Sequence, residues 1–197
     1  MQYTQIYDYL KDNLTEYRYK HTLGVAETAK SLAENYGANP DKAYLAGLLH
    51  DCAKELSLEQ MLKLAEKHNV EIDDLAKSST ALLHGICGAY LARDLYNIDD
   101  EIFDAIRFHT TGKADMSLLE KIIYIADYIE PNRNFDGVKE VRELAFSDID
   151  EAIIISCGRV IVHTVNKGGV VHPNTVEARN YLLLDNRRDA VNEKNCR

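Results

Sequence analysis

The chain has 197 residues, of which 46% are hydrophobic and 8% aromatic, enough to bury a core as one domain or two small ones. A net charge of −9 argues against the broad basic footprint of a duplex-binding protein, so stable nucleic-acid binding is not expected, while a few local cations can still hold a small anionic substrate. No apolar run approaches the ~20 residues of a membrane span, and the opening MQYTQIYDYL lacks a signal-peptide pattern, so a cytoplasmic protein without membrane attachment is expected.

In chain order, helical periodicity runs over roughly 2–13 and 15–36. Asn39 then caps a helix with Pro40 in its first turn, predicted to reach about Asp51. Further helical stretches are 58–68, 80–96 and 99–109, followed by a helix through EKIIYIADYIE that Pro131 stops near Glu130. Helices at 138–146 and 148–166 follow; the second is rich in β-branched residues, but the acidic start SDIDEA argues for helix over strand. Pro173 opens the last helix, with Asn174 or Thr175 near its cap. The tail 186–197 is polar and expected to fray. The prediction is all-α: one helical-bundle domain over 1–197, its core spanning about 15–185. Cys52, Cys87, Cys157 and Cys196 are scattered without a CxxC pair, which fits a reducing compartment and excludes a cysteine zinc site; the first three read as small buried hydrophobes.

Six polar side chains do not belong in a plain helical core. His21 shares a stripe with Gly24, Val25, Thr28, Ala29 and Leu32. His50 and Asp51 end the run YLAGLL, His84 stacks with Cys87, Gly88 and Leu91, His109 follows Ala105 and Ile106, and Asp127 follows Ile123 and Tyr124. Each alone reads as a satisfied core residue or a cap. Together, on five helices, they pose a desolvation problem of several kcal/mol per unpaired charge. One or two cations at the bundle centre would solve it, as facing helices do elsewhere. Imidazoles and carboxylates without thiolate suit iron, manganese, cobalt or zinc. His50 and Asp51 diverge by about 100° on a helix and cannot chelate as an i, i+4 pair, but an aspartate has two oxygens and can bridge two ions. Of the other histidines, His68 suits a helix C-terminus, His163 reads as a core residue, and His172 sits in the turn NKGGVVHPNT as a turn or ligand-facing residue.

This set resembles the HD-domain metal-dependent phosphohydrolases: His21, the pair His50-Asp51, Asp127, and His84 and His109 as the extra histidines of the two-metal version. The stretches YKHTLGVAETAKSLA, AGLLHDCAKEL, LLHGICGAYLARD, AIRFHTTG and IIYIADYIEPNR are similar to the YqeK branch, the symmetrical diadenosine tetraphosphate hydrolases of bacteria. That resemblance implies an all-helical fold, a di-iron centre and hydrolysis of diadenosine tetraphosphate to two ADP by water acidified on the metals. It implies one ion on His21, His50, Asp51 and Asp127, and a second on His84 and His109 with Asp51 shared. Lys54 and Arg133 match phosphate-contacting positions, with Lys54, Asp51 and Asp127 in catalytic roles. Lys20, Thr110, His172 and Thr175 are weaker candidates for nucleotide contact. The residues leave open a nucleotidase or phosphodiesterase on another nucleotide, and a non-catalytic module of the same fold. The apolar late helices would suit pairing in a homodimer.

Overall fold

The computed structural model describes residues 3–77 and 79–195, with side chains to position 186. Among the described residues every regular element is helical: α1 (Tyr3–Asn13), α2 (Glu16–Tyr36), α3 (Pro40–Leu49), α4 (Leu58–Lys67), α5 (Asp74–Lys77), α6 (Thr80–Tyr96), α7 (Asp100–Phe108), α8 (Leu118–Ile129), α9 (Val138–Leu144), α10 (Ile149–Asn166) and α11 (Pro173–Asn195). Only the one-turn α5 has no counterpart in the sequence periodicity, because four residues are too few to display a period. Cys196 and the tail's side chains from 187 lie outside the described residues, although the backbone of α11 continues to Asn195.

The helix ends follow local chemistry. Thr15 accepts from Arg18 N at the start of α2, and Asn39 accepts from Asp41 N and Lys42 N ahead of Pro40. Ser57–Gln60 and Ser117–Glu120 form reciprocal capping boxes on α4 and α8. Gly37 ends α2 in the left-handed region at φ 71°, where a Cβ would be strained. At the start of α11 the cap is neither Asn174 nor Thr175: the His172 ring accepts from Asn174 N at 3.2 Å, and Thr175 turns inward and is buried.

α8 is the central element. Ile122, Ile123, Ile125, Ala126 and Ile129 are fully buried, because α2, α3, α7, α9 and α10 all pack on it. A helix apolar on nearly all sides belongs in the middle of a bundle. α2 and α3 cross so closely that a Cβ on Gly47 would lie 2.7 Å from the Cα of Ala26. That approach brings the rings of His21 on α2 and His50 after α3 to 5.4 Å. Gly88 on α6 likewise lies against the His50 carbonyl, and Gly85 against the Arg107 carbonyl and the His109 ring.

Candidate metal centre

The six predicted side chains converge. His21 and Asp127 lie within α2 and α8, and His84 within α6. α3 and α7 are shorter than their apolar periods suggest: His50 and His109 are C-caps, and Asp51 stands in the turn beyond α3. His50 keeps right-handed helical backbone angles, and its Nε2 still comes within 3.7 Å of Oδ2 of the adjacent Asp51.

Each histidine has one nitrogen anchored. Nδ1 of His50 donates to the Gly47 carbonyl at 2.7 Å, Nδ1 of His109 to the Ile106 carbonyl at 2.7 Å, and Nδ1 of His84 to the Thr80 carbonyl at 3.2 Å. A carbonyl only accepts, so the proton sits on Nδ1 and Nε2 presents a lone pair inward. His21 makes the same choice with a carboxylate, Nδ1 lying 3.0 Å from Glu130 Oε1.

Asp51 lies between two pairs of these nitrogens. Its Oδ2 is 3.9 Å from His21 Nε2 and 3.7 Å from His50 Nε2. Its Oδ1 is 3.1 Å from His84 Nε2 and 3.6 Å from His109 Nε2. Asp127 Oδ1 adds a contact of 3.0 Å to His21 Nε2. Two groups have ligand atoms mutually within 4.8 Å: His21, His50 and Asp127, and His50, Asp51 and His109.

These donors fit cations. Among the described residues, His21 Nε2, His50 Nε2 and Asp51 Oδ1 are buried side-chain atoms that make no hydrogen bond. Buried polar atoms are otherwise almost always paired. The Nε2 atoms of His84 and His109 sit 3.0 Å apart and face the same point as Asp51 Oδ1. Side-chain cations already crowd the acids: Arg18 Nη1 is 3.3 Å from Asp51 Oδ2, Lys54 Nζ is 3.3 Å from Asp51 Oδ1 and 2.9 Å from His84 Nε2, and Arg133 Nη2 donates to Asp127 Oδ1 at 2.6 Å.

The electrostatics favour a neutral-imidazole, ionised-carboxylate set. Burial pushes His50 down to about 3 and His84 down to about 4, against the opposing pull of Asp51. Burial also raises Asp51, but His50, His109, His84 and Lys54 outweigh it and hold the carboxyl well below its usual range. Asp127 is held low by His21, His50 and Arg133 against the same burial penalty. His21 is the exception: burial lowers it, yet Asp127 and Glu130 bring it up to about 8.

Lys54, Arg133 and Thr110 border the centre; the Thr110 hydroxyl is 3.2 Å from His84 Nε2 and 3.1 Å from His109 Nε2. The remaining expected nucleotide contacts sit elsewhere. Lys20 is exposed and pairs with Glu16 at 2.6 Å, because one helical step turns it away from His21. His172 lies 3.5 Å from Asp73 beside α5, and Thr175 is packed inside. His163 is exposed on α10, where a core position was expected; the apolar stripe of that helix ends one turn earlier. His68 behaves as expected, capping α4 and meeting Asp94 at 3.0 Å.

Two residues escaped the sequence reading. Arg18 replaces Lys20 as the cation of α2 that reaches the centre. Glu130 is fully buried and also accepts from Asn132 N at 2.7 Å and Asn132 Nδ2 at 2.9 Å. Gly24 makes room for it, since a Cβ there would stand 2.5 Å from Glu130 Oε2. Glu130 had looked like the helix end before Pro131; the glycine three residues after His21 was the available signal.

The chain is similar to known proteins. The HD domain family matches residues 18–132. A protein of Halalkalibacterium halodurans named symmetrical bis(5'-nucleosyl)-tetraphosphatase is 47% identical over 177 residues, covering 89% of this chain and 94% of its own. A Bacillus subtilis protein of the same name is 44% identical over 175 residues, covering 88% and 94%. The crystal structure of an HD superfamily hydrolase from Clostridium acetobutylicum, described as involved in NAD metabolism, superposes with a TM-score of 0.91 at 48% identity over 94% of this chain and 98% of that one. With family match, full-length relatives and fold in agreement, the chain belongs to the HD domain family and, within it, to the symmetrical bis(5'-nucleosyl)-tetraphosphatases.

Proposed function

We propose that the chain hydrolyses diadenosine tetraphosphate symmetrically to two ADP, using two metal ions held by His21, His50, Asp51, His84, His109 and Asp127. The observation that carries this reading is the Asp51 carboxylate, whose two oxygens face two different pairs of imidazole nitrogens. The imidazole and carboxylate donors suit iron, manganese, cobalt or zinc, and the resemblance to the diadenosine tetraphosphate hydrolases favours iron.

When bound, such a pair of ions acidifies a water and neutralises charge on phosphoryl oxygens. The chain supplies the rest. The Nδ1 atoms of His50, His84 and His109, anchored on backbone carbonyls, leave each Nε2 directed inward as a ligand atom. Lys54, partly exposed beside Asp51, offers a point charge to the polyphosphate, and Arg133 a planar fork from the opposite side, next to Thr110. Arg18 makes a third cation at the rim of Asp51. Symmetric cleavage places the central anhydride at this charge cluster: the water oxygen bonds to one central phosphorus, the bond to the bridging oxygen breaks, and one ADP leaves from each side with release of the water's proton. The three described cysteines are free and buried, which supports work in a reducing compartment such as the cytoplasm.

The test is metal quantification and product identification on one sample. Iron- or manganese-loaded protein should convert diadenosine tetraphosphate to ADP alone, and Asp51→Ala should lose both metal and activity. ATP plus AMP as products would overturn the symmetric assignment, and an Asp51→Ala variant retaining metal and rate would overturn the bridging role.

A further inference from the structure

We infer that the groove between α8, α10 and the 131–137 loop is the seat of one nucleoside of the substrate, with Phe135 and Tyr128 as the walls that receive its base. The inference rests on the proposed function and adds a base-recognition site to it.

Two cavities join here. One of about 240 Å³ contains His109, Thr110, Asp127 and Arg133, and so opens on the metal ligands. The second, about 530 Å³, is lined by Asp136, Arg159 and His163 at its outer end. Tyr128, Phe135 and Val160 line both, so the outer chamber adjoins the cavity at the centre. The outer volume lies within the range of small-molecule sites, and its lining is largely apolar with a few polar groups. The chemistry from centre to outer chamber changes in the order a nucleotide needs: carboxylate and guanidinium first, then aromatic rings, then a charged rim.

The aromatic portion is built, and one wall stays open. The rings of Tyr128 and Phe135 meet edge to face, with centroids 5.0 Å apart at 77°. Phe135 is 41% exposed and lines both cavities. The loop carrying it is fixed at both ends. Arg133 donates to the Asp127 carbonyl at 2.9 Å and to its carboxylate at 2.6 Å, while Arg142 donates to the Arg133 carbonyl at 3.1 Å. At the other end Arg159 of α10 donates to the Gly137 carbonyl at 2.7 Å. Gly137 has φ 80°, a left-handed turn that favours glycine and presents its carbonyl to Arg159. A rigid, half-exposed ring beside a phosphate-binding cation is preorganised for a flat apolar base. Because Arg133 and Phe135 belong to one short pinned segment, phosphate and base contacts are set at fixed spacing.

The experiment measures ADP and inorganic pyrophosphate binding to manganese-loaded protein by calorimetry, beside turnover of diadenosine tetraphosphate. Phe135→Ala should weaken ADP about tenfold, by loss of a base-stacking partner, and change pyrophosphate affinity less than about twofold. Phe135→Tyr should restore ADP binding. Val160→Trp, which narrows the groove where the two cavities adjoin, should produce the same selective loss with manganese content equal to wild type. Equal ADP affinity in wild type, Phe135→Ala and Val160→Trp would overturn the subsite while leaving the hydrolase reading intact. Selective loss of ADP in a protein that does not cleave diadenosine tetraphosphate would support the subsite and remove the hydrolase reading. Parallel loss of ADP and pyrophosphate would assign Phe135 to support of the loop and overturn base recognition.

Discussion

Replacing Glu130 with glutamine tests whether the centre is held from behind. The change keeps size and removes a charge. In the native chain Glu130 is fully buried and accepts from three donors: His21 Nδ1 at 3.0 Å, Asn132 N at 2.7 Å and Asn132 Nδ2 at 2.9 Å. A glutamine has one carbonyl oxygen for these donors, and its amide must face at least one of them donor to donor. If the amide faces His21, the ring is driven to carry its proton on Nε2, the atom aimed at Asp127 and Asp51. If it faces Asn132, the loop leading to Arg133 loses an anchor. Hydrogen bonds to a buried charge are worth ~1.5–3 kcal/mol each. Partners that orient a metal-bound histidine typically change affinity or activity ~10–100-fold. Glu130→Gln should therefore weaken metal binding roughly tenfold or more by chelator competition, with a matching fall in turnover at limiting metal. Metal affinity and turnover equal to wild type would refute the idea that Glu130 sets the His21 tautomer.

Gly47→Ala should destabilise the fold by about 1–3 kcal/mol in chemical denaturation, because the added methyl meets the backbone of Ala26, which cannot rotate away; an unchanged midpoint would contradict the close α2–α3 crossing. Removing metal with a chelator should lower the melting temperature, since ions that bind only the folded state at about 100 times their dissociation constant add roughly 2.7 kcal/mol; the shift should vanish in Asp51→Ala. Asp99 caps α7 by accepting from Ile102 N at 3.0 Å, and although partial burial raises its carboxyl, Lys42 and the cap bonds hold it below the usual carboxylate range. A depressed folded value contributes stability that is present above about pH 4 and lost as pH falls through the folded value. Asp99→Ala should accordingly cost about 1 kcal/mol at neutral pH, with the gap to wild type closing as pH falls through the depressed folded value; a gap independent of pH would remove the charge from the explanation.

The sequence determined which residues form helices and which polar groups leave the surface. Asn39-Pro40, Ser117 with Glu120, and the stop at Pro131 act within a few residues of chain, so their effect is readable without the fold. The six inward ligands were legible for the same reason: each breaks an apolar stripe on its own helix. Tertiary structure alone decided how those stripes meet. Asp51 faces two histidine pairs because Gly47 lets α2 approach α3 and Gly88 lets α6 lie against the His50 carbonyl, facts about segments of backbone in contact. Arg18 displaced Lys20, and Glu130 became the anchor of His21 across 109 residues of chain, through the depth of packing on one helix face. Local propensity acts over a turn or two, whereas convergence on a shared point depends on how buried faces of distant helices fit, and that fit is a property of the packed bundle.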